Sequence, residues 1–242
     1  MSEAREAILG RVREALGRGP VPADTAAQLE QRLSTHRRNL VPRRAAVLDP
    51  AGRVELFVAM AEEVQTTVAR VASRDAVPEA VARYLASENL PAELVMAPDP
   101  VLDDFPWAER PLLHIRRGRA EPGDAVGLTP CFAAIAETGT LMLLSGAERP
   151  TTINFLPDTH IVIVGADQVV ASYEDGWDRL RARAGTSGAQ AMPRTVNFVT
   201  GPSRTGDIEQ RIQLGAHGPR RLHIILVEDE GRTEDAQTGA SR

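Results

Sequence analysis

Residues 195–228, TVNFVTGPSRTGDIEQRIQLGAHGPRRLHIILVE, read as a strand, a polar loop, a short helix, a Gly/His/Pro loop and a second strand. Val196, Phe198 and Val199 supply the first β-prone run, and Leu222–Val227 (LHIILV) supplies the second. The loop Gly201-Pro202-Ser203-Arg204-Thr205-Gly206 directly precedes the expected helix. Its backbone amides would then stand at a helix N-terminus, a place that attracts anions.

Working outward, His160–Gly165 (HIVIVG) is an Ile/Val run of the kind buried on both faces of a parallel sheet. Val169 and Val170 follow it, and Trp177 and Leu180 mark the inner face of a helix over about residues 173–184. Upstream, Val54, Phe57, Val58, Ala61 and Val64 follow the 3.6-residue period of a helix lying on a sheet. A strand is expected over Thr67–Ala72, a helix opening at Pro78, a buried strand over Glu93–Ala97 and another over Leu112–Ile115. From Asp124 the chain reads as a tight β segment of short apolar runs broken by Pro and Gly. Helices alternating with buried strands imply a mainly parallel sheet covered on both sides, with ligands beyond the carboxyl ends of the strands.

Three regions are expected: a helical arm over 1–50, an α/β domain over 51–228, and a solvated tail over 229–242 that lacks large apolar residues. In the arm, Ile8, Val12 and Leu16 form one amphipathic stripe, and Leu29 and Leu33 lie on a second helix. Such stripes bury themselves either on their own chain or on a neighbouring subunit in a homo-oligomer.

Composition excludes several activities. The net charge of −5 gives no electrostatic basis for nucleic-acid binding. Every basic side chain is Arg, so no Schiff-base lysine and no P-loop lysine is available. No apolar run reaches the ~20 residues of a membrane span, and a cytoplasmic location is expected. Cys131 is the sole cysteine, which rules out an intrachain disulfide and a self-contained iron–sulfur cluster. Its apolar neighbours favour an inert buried thiol. The five histidines show no helical HxxxH pair, so no metal is expected.

Three constellations can carry chemistry. Glu137-Thr138-Gly139-Thr140 interrupts the runs FAAIA and LMLLS, which makes Glu137 either an exposed turn residue or a partly desolvated carboxylate suited to acid/base or nucleophilic work. Ser203, Arg204 and Thr205, on a loop opened by Gly201, either cap the following helix or clamp an anion. His217, between Gly215 and Gly218, either stabilises a helix C-cap or orients a bound ligand. His160 and His223 lie in strands and read as satisfied structural histidines.

The segments AIAETGTL, PDTHIVIVG and GPSRTGDIEQRIQLGAHGPRRLHIILVED resemble the LUD-domain family of lactate-utilisation protein C, over about residues 53–228. The resemblance implies a three-layer α/β/α sandwich around a mostly parallel sheet, similar to the NagB/RpiA/CoA-transferase group. It also implies a part in the oxidation of L-lactate to pyruvate beside two cysteine-rich proteins that carry iron–sulfur clusters, with no cofactor on this chain. Some CoA transferases use a Glu beside a Gly at a strand end as nucleophile, and Glu137-Thr138-Gly139 is a suggestive analogue that departs from a Glu-Asn-Gly pattern.

Two other functions stand beside this one. The chain could be a stand-alone enzyme on an anionic metabolite or CoA thioester, with Glu137 and His217 as catalytic candidates and Gly139, Thr140, Gly201, Ser203, Arg204 and Thr205 as ligand-binding ones. It could also be a small-molecule-binding regulatory module. Glu137, Thr140, Ser203, Arg204 and His217 are expected to converge on one cleft at the carboxyl edge of the sheet.

Overall fold

The Ile/Val runs form the centre of a sheet. The structure, a computed structural model, describes residues 3–17, 19, 21–38, 41–187, 192–205 and 213–228. The expected tail over 229–242 lies outside them, as does the segment 206–212 that was to hold the short helix and Gly206.

The chain divides into two units after residue 40. The first carries α1 (Glu3–Ala15) and α2 (Ala23–Thr35), neither of which has a buried residue. Ile8, Val12 and Leu16 lie exposed. The second unit begins ten residues before the boundary expected at 50, because a short α3 (Arg43–Ala46) buries Ala45 in the same core cluster as Phe57.

In the second unit, α4 (Pro50–Glu63) starts where Asp49 accepts the Gly52 N–H at 2.7 Å and proline occupies the first turn. Its face of Val54, Phe57 and Ala61 is buried. It leads into β1 (Thr67–Val71), α5 (Val77–Ser87), β2 (Glu93–Met96), β3 (His114–Arg117) and β4 (Val126–Pro130). The strand expected over 112–115 is displaced by two residues, leaving Leu112 exposed, since β3 is an edge strand whose charged residues need no burial.

After β4 the chain makes β5 (Ala133–Ile135), β6 (Thr140–Leu144), α6 (Thr151–Phe155), β7 (Thr159–Gly165), β8 (Val169–Val170), α7 (Tyr173–Ser187), β9 (Val196–Val199), β10 (Arg204–Thr205), β11 (Gln213–Leu214) and β12 (Arg221–Val227). Six strands form one parallel sheet in the order β1-β12-β7-β4-β2-β3. The two strands richest in Ile and Val, β7 and β12, are neighbours near its middle, as burial on both faces requires. The fold is α/β, with α5 packed in the cluster on one face and α4 in the cluster on the other.

A second, four-stranded sheet of order β8-β5-β6-β9 shares the α4 cluster. Leu180 and Trp177 of α7 pack on it with Phe132 and Met142. In this sheet β9 runs antiparallel to β6, pairing Leu141 with Val199 and Leu144 with Val196. The direction of that one strand decides where the polar loop after it goes.

Candidate functional site

The loop after β9 passes over the start of the parallel sheet. A cavity of about 400 Å³ there is lined by Thr200, Gly201, Ser203, Arg204 and His217, and by His160 and Leu222 at the beginnings of β7 and β12. Three of the predicted residues, Ser203, Arg204 and His217, therefore share one site. It lies at the amino edge of the sheet, which corrects the expected carboxyl-edge location. The reason is that β9 belongs to the small sheet, so its carboxyl end is not tied to the carboxyl edge of the parallel one.

Arg204 and Thr205, expected in a loop that caps a helix, instead pair as a short antiparallel ladder with Leu214 and Gln213. Below this ladder the two predicted loops close on Ser203. Its N–H donates to the Pro219 carbonyl at 2.8 Å, its carbonyl accepts the Gly215 N–H at 3.0 Å, and its Oγ accepts the His217 N–H at 3.2 Å. His217 is exposed, as is Arg204, whose Nη2 lies 3.5 Å from the Val64 carbonyl. Thr205 is buried.

The Glu137 turn reaches the same end of α4. Gly139 sits at φ 64°, where an added Cβ would lie 2.4 Å from the Ala61 nitrogen, and Gly201 at φ 71°, where one would lie 2.6 Å from the Val64 carbonyl oxygen. Only glycine permits both the backbone conformation and the contact. Thr140 is fully buried and its Oγ1 has three hydroxyl neighbours: Thr138 at 2.7 Å, Tyr173 at 3.0 Å and Thr200 at 2.7 Å. Its hydrogen-bonding capacity is filled. Thr140 thus joins the Glu137 turn to the loop and does not line the cavity.

Glu137 itself is partly buried at the amino end of α7, where Oε1 accepts the Tyr173 N–H at 3.3 Å and Oε2 is buried without a partner. The helix dipole favours a carboxylate there. Arg44 donates to the Glu137 carbonyl at 3.0 Å, holding the turn from the side of α3. Glu137 is not among the residues that line the cavity.

His160 is fully buried, with Nε2 2.8 Å from the Thr129 hydroxyl and Nδ1 without a partner. Burial pushes its pKa down to about 3, so the ring is neutral near pH 7. The sequence reading missed it as a site residue, because a histidine inside an Ile/Val strand carries no sign that one ring nitrogen is left unpaired.

The Cys131 thiol is buried, donates to the Ala133 carbonyl at 3.0 Å, and is pushed up to about 12 by burial. Among the described residues no group of three or more His, Cys, Asp or Glu is arranged to hold a metal, and no helix is long and apolar enough to cross a membrane.

The carboxyl edge holds a larger cavity, about 710 Å³, at the ends of β1, β4, β7 and β12. Its lining includes Arg70 and Arg74 but also Glu55, Asp104, Asp167 and Glu228. Both guanidiniums are engaged there, Arg70 by Glu55 at 2.7 Å and Glu228 at 2.5 Å, and Arg74 by Asp104 at 3.2 Å. These residues come from scattered segments, and no motif in the sequence groups them.

Residues 123–227, from the approach to β4 through β12, match the LUD domain. Proteins named lactate utilization protein C align with this chain from Halalkalibacterium halodurans (34% identity, 46% of this chain and 47% of that protein) and Bacillus subtilis (34%, 43% and 42%). One from Deinococcus radiodurans aligns at 36% identity over 60% of this chain and 62% of its own length. The alignments thus span about half the length of the curated relatives. A crystal structure described as a DUF162 family protein from Deinococcus radiodurans superposes with a TM-score of 0.55 at 26% identity, covering 74% of this chain and 99% of that one. The domain match covers the Glu137 turn and both loops around Ser203, so over residues 123–227 this chain is similar to the LUD domain and, over about half their length, to proteins named lactate utilization protein C.

Proposed function

We propose that this chain serves lactate utilisation as the cluster-free subunit of an iron–sulfur system that oxidises L-lactate to pyruvate. The observation that carries this reading is the alignment with lactate utilization protein C at 34–36% identity. The chemistry of the chain is compatible with it. Oxidation of lactate releases two electrons and two protons, and a buried thiol whose pKa is near 12 is not available as a cluster ligand. Two cysteine-rich partner proteins would carry the clusters and accept the electrons. The test is reconstitution: co-purification with those two proteins, and lactate-dependent reduction of an electron acceptor with and without this chain. Unchanged activity together with no association would overturn the proposal.

A second reading is favoured by one observation, the unpartnered Oε2 of Glu137. In a stand-alone acyl-transfer enzyme the carboxylate would attack a thioester carbonyl, the C–S bond would break, and the thiolate would leave behind a glutamyl anhydride. Incubation with acyl-CoA donors followed by hydroxylamine should then yield a modified Glu137. An unmodified mass across a donor panel would remove this reading.

A further inference from the structure

The carboxyl-edge cavity is built from both sides of the parallel sheet, and its floor and rim differ in chemistry. The floor is apolar and buried: Leu102, Phe105, Ile163 and Val227 belong to the core cluster on the α5 face, and Val54 to that on the α4 face. A volume of about 710 Å³ over such a floor is in the ordinary range of small-molecule sites, which commonly lie at the carboxyl ends of parallel strands.

The charged groups of the rim hold one another in place. Arg70 donates to both carboxylate oxygens of Glu55, at 2.7 and 2.9 Å, and to Glu228 at 2.5 Å. Arg74 pairs with Asp104 at 3.2 Å and lies over the Phe105 ring, 5.3 Å from its centre. An anion would have to compete with Glu55, Glu228 and Asp104 for these guanidiniums, in a lining that also holds Asp167. Residues 229–242, which continue from Glu228, carry four acids and two arginines and so bring no net positive charge. An organic cation meets the converse obstacle, since Arg70 and Arg74 already occupy three of the carboxylates. A carboxylate held by arginine nevertheless keeps unused lone pairs, and these can only accept. Fixed acceptors beside a guanidinium plane and an apolar floor suit an uncharged ligand that has hydroxyl donors and a flat ring.

We propose that the carboxyl-edge cavity binds an uncharged nucleoside, its ribose diol donating to Glu55 and Glu228 and its base laid against Arg74 and the apolar floor. Two adjacent hydroxyls match two carboxylates fixed by one guanidinium, and a planar base extends the stack that Arg74 makes with Phe105. A free sugar offers the diol without the ring and a free base the ring without the diol, so the site selects the compound that joins them. This assignment is independent of the amino-edge loops and of the lactate reading above.

The test is calorimetry on the full chain with adenosine, 2′-deoxyadenosine, adenine, ribose, AMP and spermidine. Adenosine should bind at one site, and 2′-deoxyadenosine, which lacks one hydroxyl of the diol, should bind about tenfold more weakly. Adenine and ribose should each lose at least about tenfold, and AMP should bind more weakly than adenosine because its phosphate meets the acidic rim. Glu55→Ala should weaken adenosine by about tenfold, and Arg204→Gln, at the other edge, should leave it unchanged. The ligand comparisons need no variant, so they decide even where Glu55→Ala does not fold. No binding of adenosine at millimolar concentration, equal affinity for adenosine and 2′-deoxyadenosine, tighter binding of AMP or spermidine, or sensitivity to Arg204→Gln in place of Glu55→Ala would overturn the site.

Discussion

The hydroxyls of Thr140 and Thr200, sixty positions apart, lie 2.7 Å from each other and tie the Glu137 turn to the loop that carries Ser203 and Arg204. Thr140→Val keeps the shape of the side chain and deletes its bonds to Thr138, Tyr173 and Thr200. We expect a loss of about 1–3 kcal/mol in urea unfolding. Unchanged stability would mean that the three hydroxyl contacts are replaced by water without cost.

Gly139→Ala should destabilise by more than the ~1 kcal/mol typical of a glycine conformation alone, because its Cβ would meet the Ala61 backbone at 2.4 Å and its φ is 64°. Gly146→Ala, where an added Cβ meets nothing within 4 Å, is the matched control. A deficit relative to Gly146→Ala no larger than the ~1 kcal/mol conformational cost would show that α4 can withdraw from the turn.

The buried histidines predict a pH dependence with a definite sign. Burial lowers His160 to about 3 and His223 to about 4, whereas an unfolded chain titrates near 6.5. Between these values the unfolded chain binds more protons, so stability is full above about pH 6.5 and falls as the pH drops towards 4 and 3. The slope is at most ~1.4 kcal/mol per pH unit for each histidine. Urea midpoints between pH 7.5 and 5.5 read this before most carboxylates titrate. His223→Gln, which removes the ring stacked on Tyr84 at 3.7 Å, should flatten part of the slope. A flat profile for the unaltered protein would contradict the buried neutral rings.

Cys131 should resist thiol reagents. The residue is 5% exposed and burial pushes its pKa up to about 12, so at pH 8 both access and thiolate are lacking. Iodoacetamide should label it only as the protein unfolds, with a rate that rises with urea. Rapid labelling of the native chain would place the sulfur at the surface.

Removing Asp99 should cost stability through two contacts at once. The buried carboxylate pairs with Arg149 and accepts the Val101 N–H at 3.1 Å. Because Arg149 is only partly exposed, Asp99→Ala is expected to lose on the order of 2–4 kcal/mol, measured by denaturant titration. A loss below about 0.5 kcal/mol would class the pair with ordinary surface ion pairs.

The parallel sheet was legible because β7 and β12 are Ile/Val runs, and a run buried on both faces has few other places to go. The strands of the small sheet were read as β, but their pairing into a separate sheet was not: Ala133–Ile135 and Thr140–Leu144 are wholly buried, so no alternation assigns them a face, and their partners Val169–Val170 and Val196–Val199 lie far along the chain. That omission also moved the expected site. Ser203, Arg204 and His217 were singled out by type and spacing, but their edge of the sheet depends on the antiparallel pairing of Leu141 with Val199, a long-range fact.

The position of β12 bears on how the protein is made. Residues 221–227 insert between β1 and β7, completing pairs such as Thr67 with His223 across more than 150 residues. A nascent chain that has reached residue 200 already contains β1 and β7, yet each lacks its inner neighbour and presents unsatisfied backbone along an apolar edge. Closure of such distant pairings is slow, and open edges of this kind recruit other chains. Synthesis therefore passes through an interval in which the inner edges of these two strands stand open, until the Leu-His-Ile-Ile-Leu-Val segment arrives to fill the gap.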